Sequence, residues 1–569
     1  MHDIKDSLRP WLSSYPPEVN TDIDFGTYSS VLSFMHESFG KFPSRSAFTN
    51  MGTTLTFTEI DQLSSHFASF LQNELGLRKG DRIALQLPNL LQFPIALFGA
   101  MKAGLVVVNT NPLYTPKEML HQFNDAGAKA VVILANYANH LEAILKQTSV
   151  ESVIVTEVGD LLSFPKNLVV NLAVKYLKKM VPPFHLPTAY SFNQALALGQ
   201  KRPPKEADLS LQDLAFLQYT GGTTGVAKGA MLTHRNVVAN ALQISEWMKP
   251  LLRPGEETVI TALPMYHIFS LTVNLLSFMK YGGHSVLITN PRDIPAFIQT
   301  LRHTSFTAMT GVNTLFNALM NHPDFSKIDF SRCKLSVAGA MALQTTVAQR
   351  WFEKTRSPIF EGYGLTEASP VLCCNPIAGG NDIVGTIGLP LPSTWIRIID
   401  EEGRDVPIGQ AGELVAKGPQ VMTGYYQRPD ETALVMMDGG WLRTGDIAVM
   451  QDGGFFRLVD RKKDMILVSG FNVYPNEVEE AIASHPGVLE VAVIGVPDEH
   501  SGEAVKAFVV KKDPLLTAEE VIEHAKKSVT GYKAPKTVEF RSELPKTNVG
   551  KILRRALREK TDQKQWATA

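Results

Sequence analysis

Cysteine is scarce in this 569-residue sequence, and so is net charge. The three cysteines, Cys333, Cys373 and Cys374, form an odd and sparse set, which argues against a secreted disulfide scaffold and favours a reducing compartment. No cluster of cysteine and histidine has the spacing of a zinc site. The 55 basic and 56 acidic residues leave a net charge of −1, which gives no basis for nucleic-acid binding. We therefore expect a cytoplasmic protein that does not bind nucleic acid.

Long apolar runs are also missing. No stretch of eighteen apolar residues is free of charge, so we expect no transmembrane helix, and the first twenty residues lack the layout of a secretion signal. One ambiguous segment covers residues 168–181 (LVVNLAVKYLKKMV), where three lysines follow an apolar stretch. We favour a half-buried helix with its lysines in solvent. The alternative is an amphipathic helix that lies peripherally on the inner face of the cell membrane.

Strand-like and helical patterns alternate through most of the chain. Short apolar runs, such as residues 82–87 and 130–134, are separated by helical stretches and short loops, which predicts an α/β fold with parallel sheets. Residues 186–211 are rich in proline, lysine and alanine, and we interpret them as a surface connection.

The pattern changes in the last third of the chain. Short runs separated by glycine, proline and aspartate predict a small antiparallel or barrel-like subdomain over about 385–459. We expect a large N-terminal domain over 1–459, a charged boundary at 460–464, and a small α+β domain over 465–569.

The sequence LAFLQYTGGTTGVAKG at residues 214–229 joins an apolar strand to a loop of glycine and threonine. Glycines let backbone N–H groups close on an anion, hydroxyls add donors, and Lys228 adds a point charge. Because Lys228 is followed by Gly229, the loop does not fit the common nucleotide pattern G-x-x-x-x-G-K-[ST]. The segment predicts a phosphate-binding loop of another kind, and a flexible surface loop is the alternative.

Polar side chains follow two further predicted strands. The run over 258–263 ends in Pro-Met-Tyr-His, where the imidazole of His267 could orient a carboxylate, although a lone histidine is more often structural. Residues 363–367 (YGLTE) combine a ring, a hydroxyl and a carboxylate. Glu367 suits Mg²⁺, which takes one or two protein oxygens and leaves the rest to phosphate and water. A turn with a solvent-facing glutamate is the alternative.

Two motifs nearer the C-terminus complete a pattern. In WLRTGD, Asp446 follows a glycine turn and could accept hydrogen bonds from both hydroxyls of a ribose. In PKTNVGK, Lys551 follows a glycine in a basic segment. Each motif alone also fits a solvent-exposed turn. A phosphate loop, a magnesium carboxylate, a ribose carboxylate and a lysine together predict chemistry on ATP.

Six motifs in this order carry a resemblance: YTGGTTGVAKG, PMYHIF, EGYGLTE, WLRTGD, DRKKDMI and PKTNVGK. They make the chain, from about residue 54 to residue 557, similar to the adenylate-forming superfamily of acyl-CoA synthetases and luciferases. The stretches NPLYTPKE, TGVNTLFNAL, ITNPRDIP and VDRKKDMILVSGFNVYPNEVEE resemble the bacterial long-chain fatty acyl-CoA synthetases. The resemblance implies a ligase that first converts a fatty acid and MgATP to acyl-adenylate and pyrophosphate. CoA then displaces AMP to give the thioester.

The resemblance also assigns an ATP site. The implied ATP-binding residues are Thr220, Gly221, Gly222, Thr223, Thr224, Gly225, Lys228, Tyr363, Gly364, Thr366, Asp446, Arg461 and Lys551. By this carry-over the loop holds the β- and γ-phosphates, Tyr363 stacks near adenine, and Thr366 contacts the α-phosphate. Asp446 and Arg461 bind the ribose.

Catalysis and CoA binding are assigned in the same way. Thr223 and Glu367 are the implied Mg²⁺ ligands. The implied catalytic residues are Thr366, His267 beside the acyl carboxylate, and Lys551, which bridges that carboxylate and the α-phosphate. Asp460 is the implied hinge of a mobile C-terminal domain, whose rotation brings Ser469 and Gly470 towards CoA.

Four positions depart from the family pattern. Ala340 and Ala342 replace glycine and proline near the adenine and acyl entrance, and Arg443 stands where histidine is common. Leu271 occupies the position of a gating tryptophan in some long-chain members, so no tryptophan gate is carried over.

Two enzymatic alternatives stay open. One is a fatty acyl-AMP ligase that loads a carrier protein, although no extra segment separates Asp460 from Met465, which favours CoA. The other is a medium-chain acyl-CoA ligase. The sequence does not define the preferred chain length or the oligomeric state, and a homodimer is one assembly that it allows.

Overall fold

A computed structural model of the chain describes residues 9–220, 227–377, 385–547 and 549–558. Its α-helices are α1 Val31–Lys41, α2 Phe57–Asn73, α3 Gln92–Lys102, α4 Pro116–Ala126, α5 Ala138–Ile144, α6 Lys166–Leu172, α7 Phe192–Gly199, α8 His234–Met248, α9 Phe278–Lys280, α10 Ile294–Arg302, α11 Asn313–Met320, α12 Thr345–Thr355, α13 Pro429–Val435, α14 Pro475–Ala483 and α15 Ala518–Ala525. A π-helical turn, Ala173–Leu177, continues α6, and another, Ser270–Ser277, precedes α9.

Two mainly parallel sheets form the large N-terminal part. Their strands are β1 Ser46–Asn50, β2 Thr53–Thr56, β3 Arg82–Gln86, β4 Val106–Asn109, β5 Ala128–Leu134, β6 Ser152–Thr156, β7 Tyr190–Ser191, β8 Leu214–Thr220, β9 Lys228–Thr233, β10 Thr258–Thr261, β11 His284–Leu287, β12 Ala308–Gly311, β13 Leu335–Ala338, β14 Ile359–Gly364, β15 Val371–Cys374 and β16 Leu389–Pro390. One sheet has the order β7-β6-β5-β3-β4-β8-β9, and the other has the order β16-β15-β14-β13-β12-β10-β11-β1-β2. Antiparallel pairs lie at the sheet ends, in β8–β9, β1–β2, β14–β15 and β15–β16. The predicted α/β architecture with parallel sheets is confirmed.

Local sequence explains where the helices begin and which of them are buried. Thr56 accepts a hydrogen bond from the Glu59 N–H at the start of α2, and the Glu59 carboxylate accepts one from the Thr56 N–H. This reciprocal cap satisfies backbone donors that the first turn leaves free. Helix α3 is apolar on almost every side, and all of its residues are buried. A helix of this composition is stable only inside a core, between other elements.

The interpretation of residues 186–211 as a surface connection is wrong. The segment contains β7 and the helix α7, whose Phe192 ring stacks on Phe67 of α2 at a centroid distance of 5.2 Å. Gly199 lies so close to α2 that an added Cβ would be 1.8 Å from the His66 carbonyl oxygen. The residues on either side of α7 are polar and rich in proline, so the helix was not recognised from the sequence. Its buried positions nevertheless follow a helical period.

The predicted small antiparallel unit is present. Its strands are β17 Trp395–Ile399, β18 Ala411–Lys417, β19 Met436–Met437, β20 Trp441–Met450 and β21 Phe456–Arg461. They form a sheet of order β17-β18-β20-β19, with β21 also paired to β20. The motif WLRTGD therefore lies within strand β20, and the turn that the sequence suggested there is wrong. The pairing of β20 with β18 and with β21 shifts register near this motif. Gly445 permits this irregularity, because its φ of 72° is in the left-handed region that glycine adopts readily.

The C-terminal unit is a small α+β structure. Its strands are β22 Ile466–Val468, β23 Phe471–Val473, β24 Val488–Asp498, β25 Gly502–Lys511 and β26 Thr537–Arg541. The sheet order is β23-β22-β25-β24, and β26 pairs in parallel with β25. Helices α14 and α15 contribute buried side chains to an apolar cluster of this unit, among them Val478, Ile482 and Val521. The residue boundaries of the domains stay predictions.

Residues 168–181 differ from the favoured half-buried helix. None of the residues in α6 or in the π-helical turn after it is buried. Val169 is 61% exposed and Leu177 is 81% exposed, and Phe164 just before the helix is 79% exposed. The composition of the segment does not show how far the rest of the N-terminal part covers it, and in the structure none of these helical residues is buried. Among the described residues, no helix has the length and apolarity needed to cross a bilayer.

Candidate active site

A cavity of about 1640 Å³ lies between the sheets, the small subdomain and the C-terminal unit. Strands β8 and β14 end at it and His267 follows β10, so it sits at the strand ends where parallel sheets usually bind ligands. The predicted site residues that line it are Thr220, Lys228, His267, Tyr363, Gly364, Thr366, Glu367, Asp446, Asp460, Arg461 and Lys551. The predicted Gly221, Gly222, Thr223, Thr224 and Gly225 lie outside the described residues.

Asp446 and Arg461 face each other across strands β20 and β21, where they are register partners. The Tyr363 hydroxyl donates to Asp446 Oδ2 at 2.6 Å, and Arg461 Nε lies 3.6 Å from Asp446 Oδ1. Burial and the neighbouring Asp446 charge hold the pKa of Tyr363 well above its usual value, so its hydroxyl remains a donor. The arrangement fixes one carboxylate and one guanidinium at the cavity wall, where both can contact a polar ligand.

Lys551 reaches the cavity from a tight loop of the C-terminal unit. The Lys551 N–H donates to Thr547 Oγ1 at 3.1 Å, and the Lys551 carbonyl accepts from the Thr547 N–H at 2.7 Å. Thr314 of α11 donates to the carbonyl of Gly550 at 3.0 Å, which ties the loop to the N-terminal part. Gly550 has a φ of 82°, and an added Cβ would lie 3.0 Å from Thr314 Oγ1, so this position favours glycine.

Burial lowers the pKa of two nitrogen bases in the cavity, Lys551 and His267. Burial, followed by the nearby Arg461, lowers the pKa of Lys551 to about 7. Burial, followed by the charge of Lys551, lowers the pKa of His267 to about 4. His267 is therefore a neutral imidazole at neutral pH, while Lys551 is close to the midpoint of its titration. An anion bound between them would favour the protonated form of Lys551.

A second cluster links Lys228 to Glu367. Lys228 Nζ lies 2.7 Å from Glu431 Oε2 of α13 and 4.7 Å from the centroid of the Tyr425 ring. The Tyr425 hydroxyl donates to Glu367 Oε1 at 2.6 Å. The sequence analysis missed both Tyr425 and Glu431. Their contacts with Glu367 and Lys228 cross 58 and 203 residues of sequence, and no local pattern signals a pairing over such distances.

Glu361 is another cavity residue that the sequence analysis missed. It lies on β14 just before the Gly-Tyr-Gly stretch, is 8% exposed, and accepts a hydrogen bond from the Leu343 N–H at 3.3 Å. Burial raises its pKa to about 8, so the carboxyl is mainly protonated at neutral pH. Glu361 is the first residue of the motif EGYGLTE, and this position close to Tyr363 and Thr366 is the sequence feature that could have indicated it.

The positions that depart from the family pattern fall into two groups. Ala340 and Ala342 line the cavity, and Ala340 has a φ of 65°. Arg443 points to Glu413, with its Nη1 at 2.9 Å from Glu413 Oε2, and Leu271 is fully buried. The two alanines are thus the departures placed to shape the cavity wall.

Ser469 and Gly470 are not brought to the cavity in this conformation. They form the exposed turn between β22 and β23, where Ser469 has a φ of 51° and its N–H donates to the Ser501 carbonyl at 2.8 Å. A role for them beside the cavity requires a different orientation of the C-terminal unit.

Comparison with known proteins identifies two family regions. Residues 35–426 match the model of the AMP-binding enzyme family, and residues 477–551 match the model of the AMP-binding enzyme C-terminal domain. The first region contains the two parallel sheets, and the second contains most of the C-terminal unit, including Lys551. The cavity lies between these two regions.

Relatives and solved structures agree over nearly the whole length. The chain is 55% identical over 552 residues to the long-chain-fatty-acid–CoA ligase of Escherichia coli O6:H1, covering 96% of this chain and 98% of the relative. The fold is similar to that of the anthranilate CoA ligase AuaEII, with a TM-score of 0.83, 24% identity and coverage of 94% and 98%. It is also similar to ATP-bound MatB from Rhodopseudomonas palustris, with a TM-score of 0.79, 27% identity and coverage of 93% and 98%. The resemblance carried by the six motifs is therefore confirmed, and the chain belongs to the AMP-binding enzyme family.

Proposed function

We propose that this protein is a long-chain fatty acid–CoA ligase that works in two steps. In the first, a carboxylate oxygen of the fatty acid bonds to the α-phosphorus of ATP, and pyrophosphate leaves with the oxygen that bridged the α- and β-phosphates. In the second, the CoA thiol gives its proton to solvent and its sulfur bonds to the acyl carbon, and the bond from that carbon to the phosphate oxygen breaks so that AMP leaves. The observation that carries the proposal is that Lys551 lies in one cavity with Asp446 and Arg461.

The first step brings two anions together, so cations in the cavity stabilise the developing charge. Lys551 supplies a point charge between the acyl carboxylate and the α-phosphate, and Thr366 adds a hydroxyl donor. The neutral imidazole of His267 offers an N–H to the carboxylate without adding a second positive charge beside Lys551. Asp446 and Arg461 hold the ribose, which orients the α-phosphate towards the attacking oxygen.

The residues of the cavity fit Mg²⁺ held together with ATP. Glu367 lines the cavity, and its Oε1 is oriented by the Tyr425 hydroxyl. The described residues contain no group of three or more side chains of the acidic, histidine or cysteine types that could hold a metal alone. Mg²⁺ takes one or two protein oxygens and most of its ligands from phosphate and water, so a single carboxylate such as that of Glu367 suits it. Glu367 would hold the ion together with Thr223, and the ion would neutralise phosphate charge.

Part of the cavity lining is apolar. Its side chains include Ile244, Trp247, Met248, Val273, Ile377, Ile387 and Leu391. An apolar wall beside a few polar groups suits an acid with an aliphatic chain, because burial of methylene groups stabilises the complex by about 0.8 kcal/mol each. This supports a fatty acid as substrate, and the name of the Escherichia coli relative supports a long one.

The second step needs access for CoA. We propose that the C-terminal unit rotates about Asp460, which withdraws Lys551 and brings Ser469 and Gly470 to the cavity. Asp460 is the fifth residue of β21, at the last strand of the small subdomain, which suits a hinge at the end of an element. The exposed turn that carries Ser469 and Gly470 is consistent with a surface that meets its ligand after rotation.

Fatty-acid-dependent ATP–pyrophosphate exchange tests the proposal. We expect palmitate and oleate to drive exchange better than hexanoate, and added CoA to give thioester and AMP. If hexanoate or decanoate is preferred, the medium-chain ligase is the correct reading. If exchange occurs and no thioester follows, the carrier-loading acyl-AMP ligase is correct. If no fatty acid drives exchange, the proposed substrate class is wrong.

The charge state of Lys551 predicts a pH dependence. Its pKa of about 7 means that the protonated form is lost as the pH rises above about 7. Because the first step uses the protonated lysine, kcat/KM of the exchange reaction should fall on the alkaline side, with an apparent pKa near 7 for the free enzyme. A Lys551→Arg variant remains charged over this range, so its residual activity should lack that alkaline decline. A wild-type profile that is flat from pH 7 upward would contradict this charge assignment.

We also propose that the protein is cytoplasmic and binds the inner face of the cell membrane through residues 168–181. The segment exposes apolar side chains, and it carries the exposed lysines Lys175, Lys178 and Lys179 at its C-terminal end. Exposed apolar side chains next to several positive charges suit an interfacial helix on anionic lipid. The buried, unpaired cysteines are consistent with a reducing compartment.

Vesicle sedimentation tests this contact. Wild type should bind vesicles containing phosphatidylglycerol more tightly than vesicles of phosphatidylcholine. Reversal of the three lysines to glutamate should weaken that binding by more than roughly 100-fold, since each basic residue near an anionic surface contributes about 1 kcal/mol and each new carboxylate is repelled. The control reverses Lys512, Lys526 and Lys527, which are exposed on the C-terminal unit. Equal binding by both triple variants would exclude this segment as the membrane contact. Sedimentation velocity without vesicles tests separately whether the protein is a homodimer.

A further inference from the structure

Arg554 is the most heavily bonded cation near the domain boundary. It follows Lys551 by three residues, and its side chain is 15% exposed. Its Nε and Nη2 donate to the two carboxylate oxygens of Glu479 at 3.1 and 2.8 Å, and Nη2 also donates to Asn476 Oδ1 at 2.6 Å. A two-pronged contact of this kind fixes the guanidinium plane as well as its position. Since Glu479 and Asn476 lie on α14, these bonds stay within the C-terminal unit.

The remaining nitrogen of Arg554 reaches across the boundary. Nη1 lies 3.3 Å from Asp460 Oδ1 and 3.5 Å from Asp464 Oδ2. The Asp460 side chain is 1% exposed, and its oxygens also accept from the N–H groups of Arg461 and Asn476. Burial raises the pKa of Asp460, and the positive charge of Arg554 opposes that shift. Arg554 thus neutralises the buried carboxylate of Asp460.

Asp460 belongs to the other side of the boundary. It is paired with Ile447 across β20 and β21, so its backbone is part of the small subdomain sheet. Lys551 lies three residues before Arg554, at the end of a loop that Thr547 closes by two hydrogen bonds. The contact between Arg554 and Asp460 therefore joins the segment that carries Lys551 to the strand that carries Arg461.

We infer that Arg554 is a positioning residue for the first step, which holds Lys551 in the cavity by binding Asp460. The inference rests on the proposed function and adds a residue to it. The contacts of Arg554 form two sets, which differ in whether the proposed rotation changes them. The bonds to Glu479 and Asn476 travel with the C-terminal unit, whereas the bond to Asp460 spans the proposed pivot and must change when that unit rotates. The bond between Arg554 and Asp460 consequently favours the adenylation orientation, and the second step does not require that bond.

The two steps can be assayed separately, which distinguishes positioning from folding. Adenylation is measured as palmitate-dependent ATP–pyrophosphate exchange, and the second step as thioester formation from supplied palmitoyl-adenylate and CoA. In Arg554→Gln we expect exchange to fall about tenfold or more, because a buried charged hydrogen bond at the pivot is lost. Thioester formation from palmitoyl-adenylate should stay within about twofold of wild type on the same argument. Arg554→Lys should recover part of the exchange, because lysine keeps the positive charge. The recovery should be incomplete, because lysine cannot make the two-pronged contact with Glu479.

A second variant guards against misfolding. Glu479 is left buried without its partner in Arg554→Gln, so the double variant Arg554→Gln, Glu479→Gln also removes the charge of Glu479 by an isosteric change. The double variant should lose exchange by the same factor as Arg554→Gln, and its thioester formation should stay near that of wild type. The control is Arg541→Leu on β26, where Arg541 Nη2 pairs with Glu539 Oε1 at 2.6 Å, far from the pivot in sequence.

The outcomes separate this inference from the proposed function. If wild type drives no exchange with any fatty acid, the proposed function fails and the inference falls with it. If wild type is active and the double variant keeps its exchange rate, the inference alone is wrong. It is also wrong if both steps fall by the same factor in the double variant, because that result indicates a general structural role.

Discussion

Replacing Lys551 with alanine is expected to lower palmitate-dependent ATP–pyrophosphate exchange by roughly 10²–10³, the size of effect seen when one preorganised donor to a developing anion is removed. The reason is geometric and electrostatic. Lys551 enters the cavity from a loop closed by Thr547. In the proposed first step it is the positive charge between the two anionic reactants. Thioester formation from supplied palmitoyl-adenylate should change little, because the proposed rotation withdraws Lys551 before that step.

The matched control for this experiment is Lys546→Ala. Lys546 lies five positions before Lys551 and also lines the cavity, but its Nζ is paired with Glu490 Oε1 at 2.6 Å. We expect its exchange rate to stay within a few-fold of wild type, since an ion pair of this exposure contributes about 1 kcal/mol or less. Equal losses in the two variants, or full exchange in Lys551→Ala, would remove Lys551 from its proposed role.

Replacing Glu367 with glutamine is the second large prediction. The change keeps the size of the side chain and an acceptor for the Tyr425 hydroxyl, and it removes the negative charge. A metal ligand contributes several kcal/mol to charge stabilisation, so the exchange rate should fall by roughly 10²–10³ at a fixed Mg²⁺ concentration. A titration with Mg²⁺ should show a higher concentration for half-maximal activity in the variant.

Glu431→Gln provides the matched control for Glu367. Glu431 is the nearby carboxylate that pairs with Lys228 at 2.7 Å, so its loss changes the same cluster without touching the proposed Mg²⁺ ligand. Its Mg²⁺ dependence should match that of wild type. The assignment of Glu367 is wrong if both variants show the same Mg²⁺ titration as wild type, or if the two shift together.

The sequence predicted the architecture because alternation of strand and helix is a local property. Strands such as Arg82–Gln86 and Ala128–Leu134 lie where apolar runs were noted, and both belong to a parallel sheet. The candidate residues of the cavity were recognised because each follows an apolar strand or stands in a motif. His267 and Thr220 illustrate this, since the carboxyl ends of parallel strands converge at one edge of a sheet.

What the sequence could not predict depends on partners remote along the chain. Glycine and aspartate made the segment around Asp446 resemble a turn, but pairing with β18 and β21 makes it a strand. Tyr425 carries no local sign of its contact with Glu367. The segment at residues 168–181 has the composition of a half-buried helix, but none of the residues in its helix or in the π-helical turn is buried.

The pairing of β20 with β21 also has a thermodynamic consequence. Arg461, which faces Asp446, is the immediate neighbour of Asp460, so the proposed nucleotide contact and the proposed hinge are consecutive residues of one strand. Linkage requires that the factor by which AMP favours one orientation equals the factor by which that orientation favours AMP. If the two proposed roles hold, release of AMP removes its share of that preference and leaves the contacts within the protein, such as the one between Arg554 and Asp460, to set the orientation.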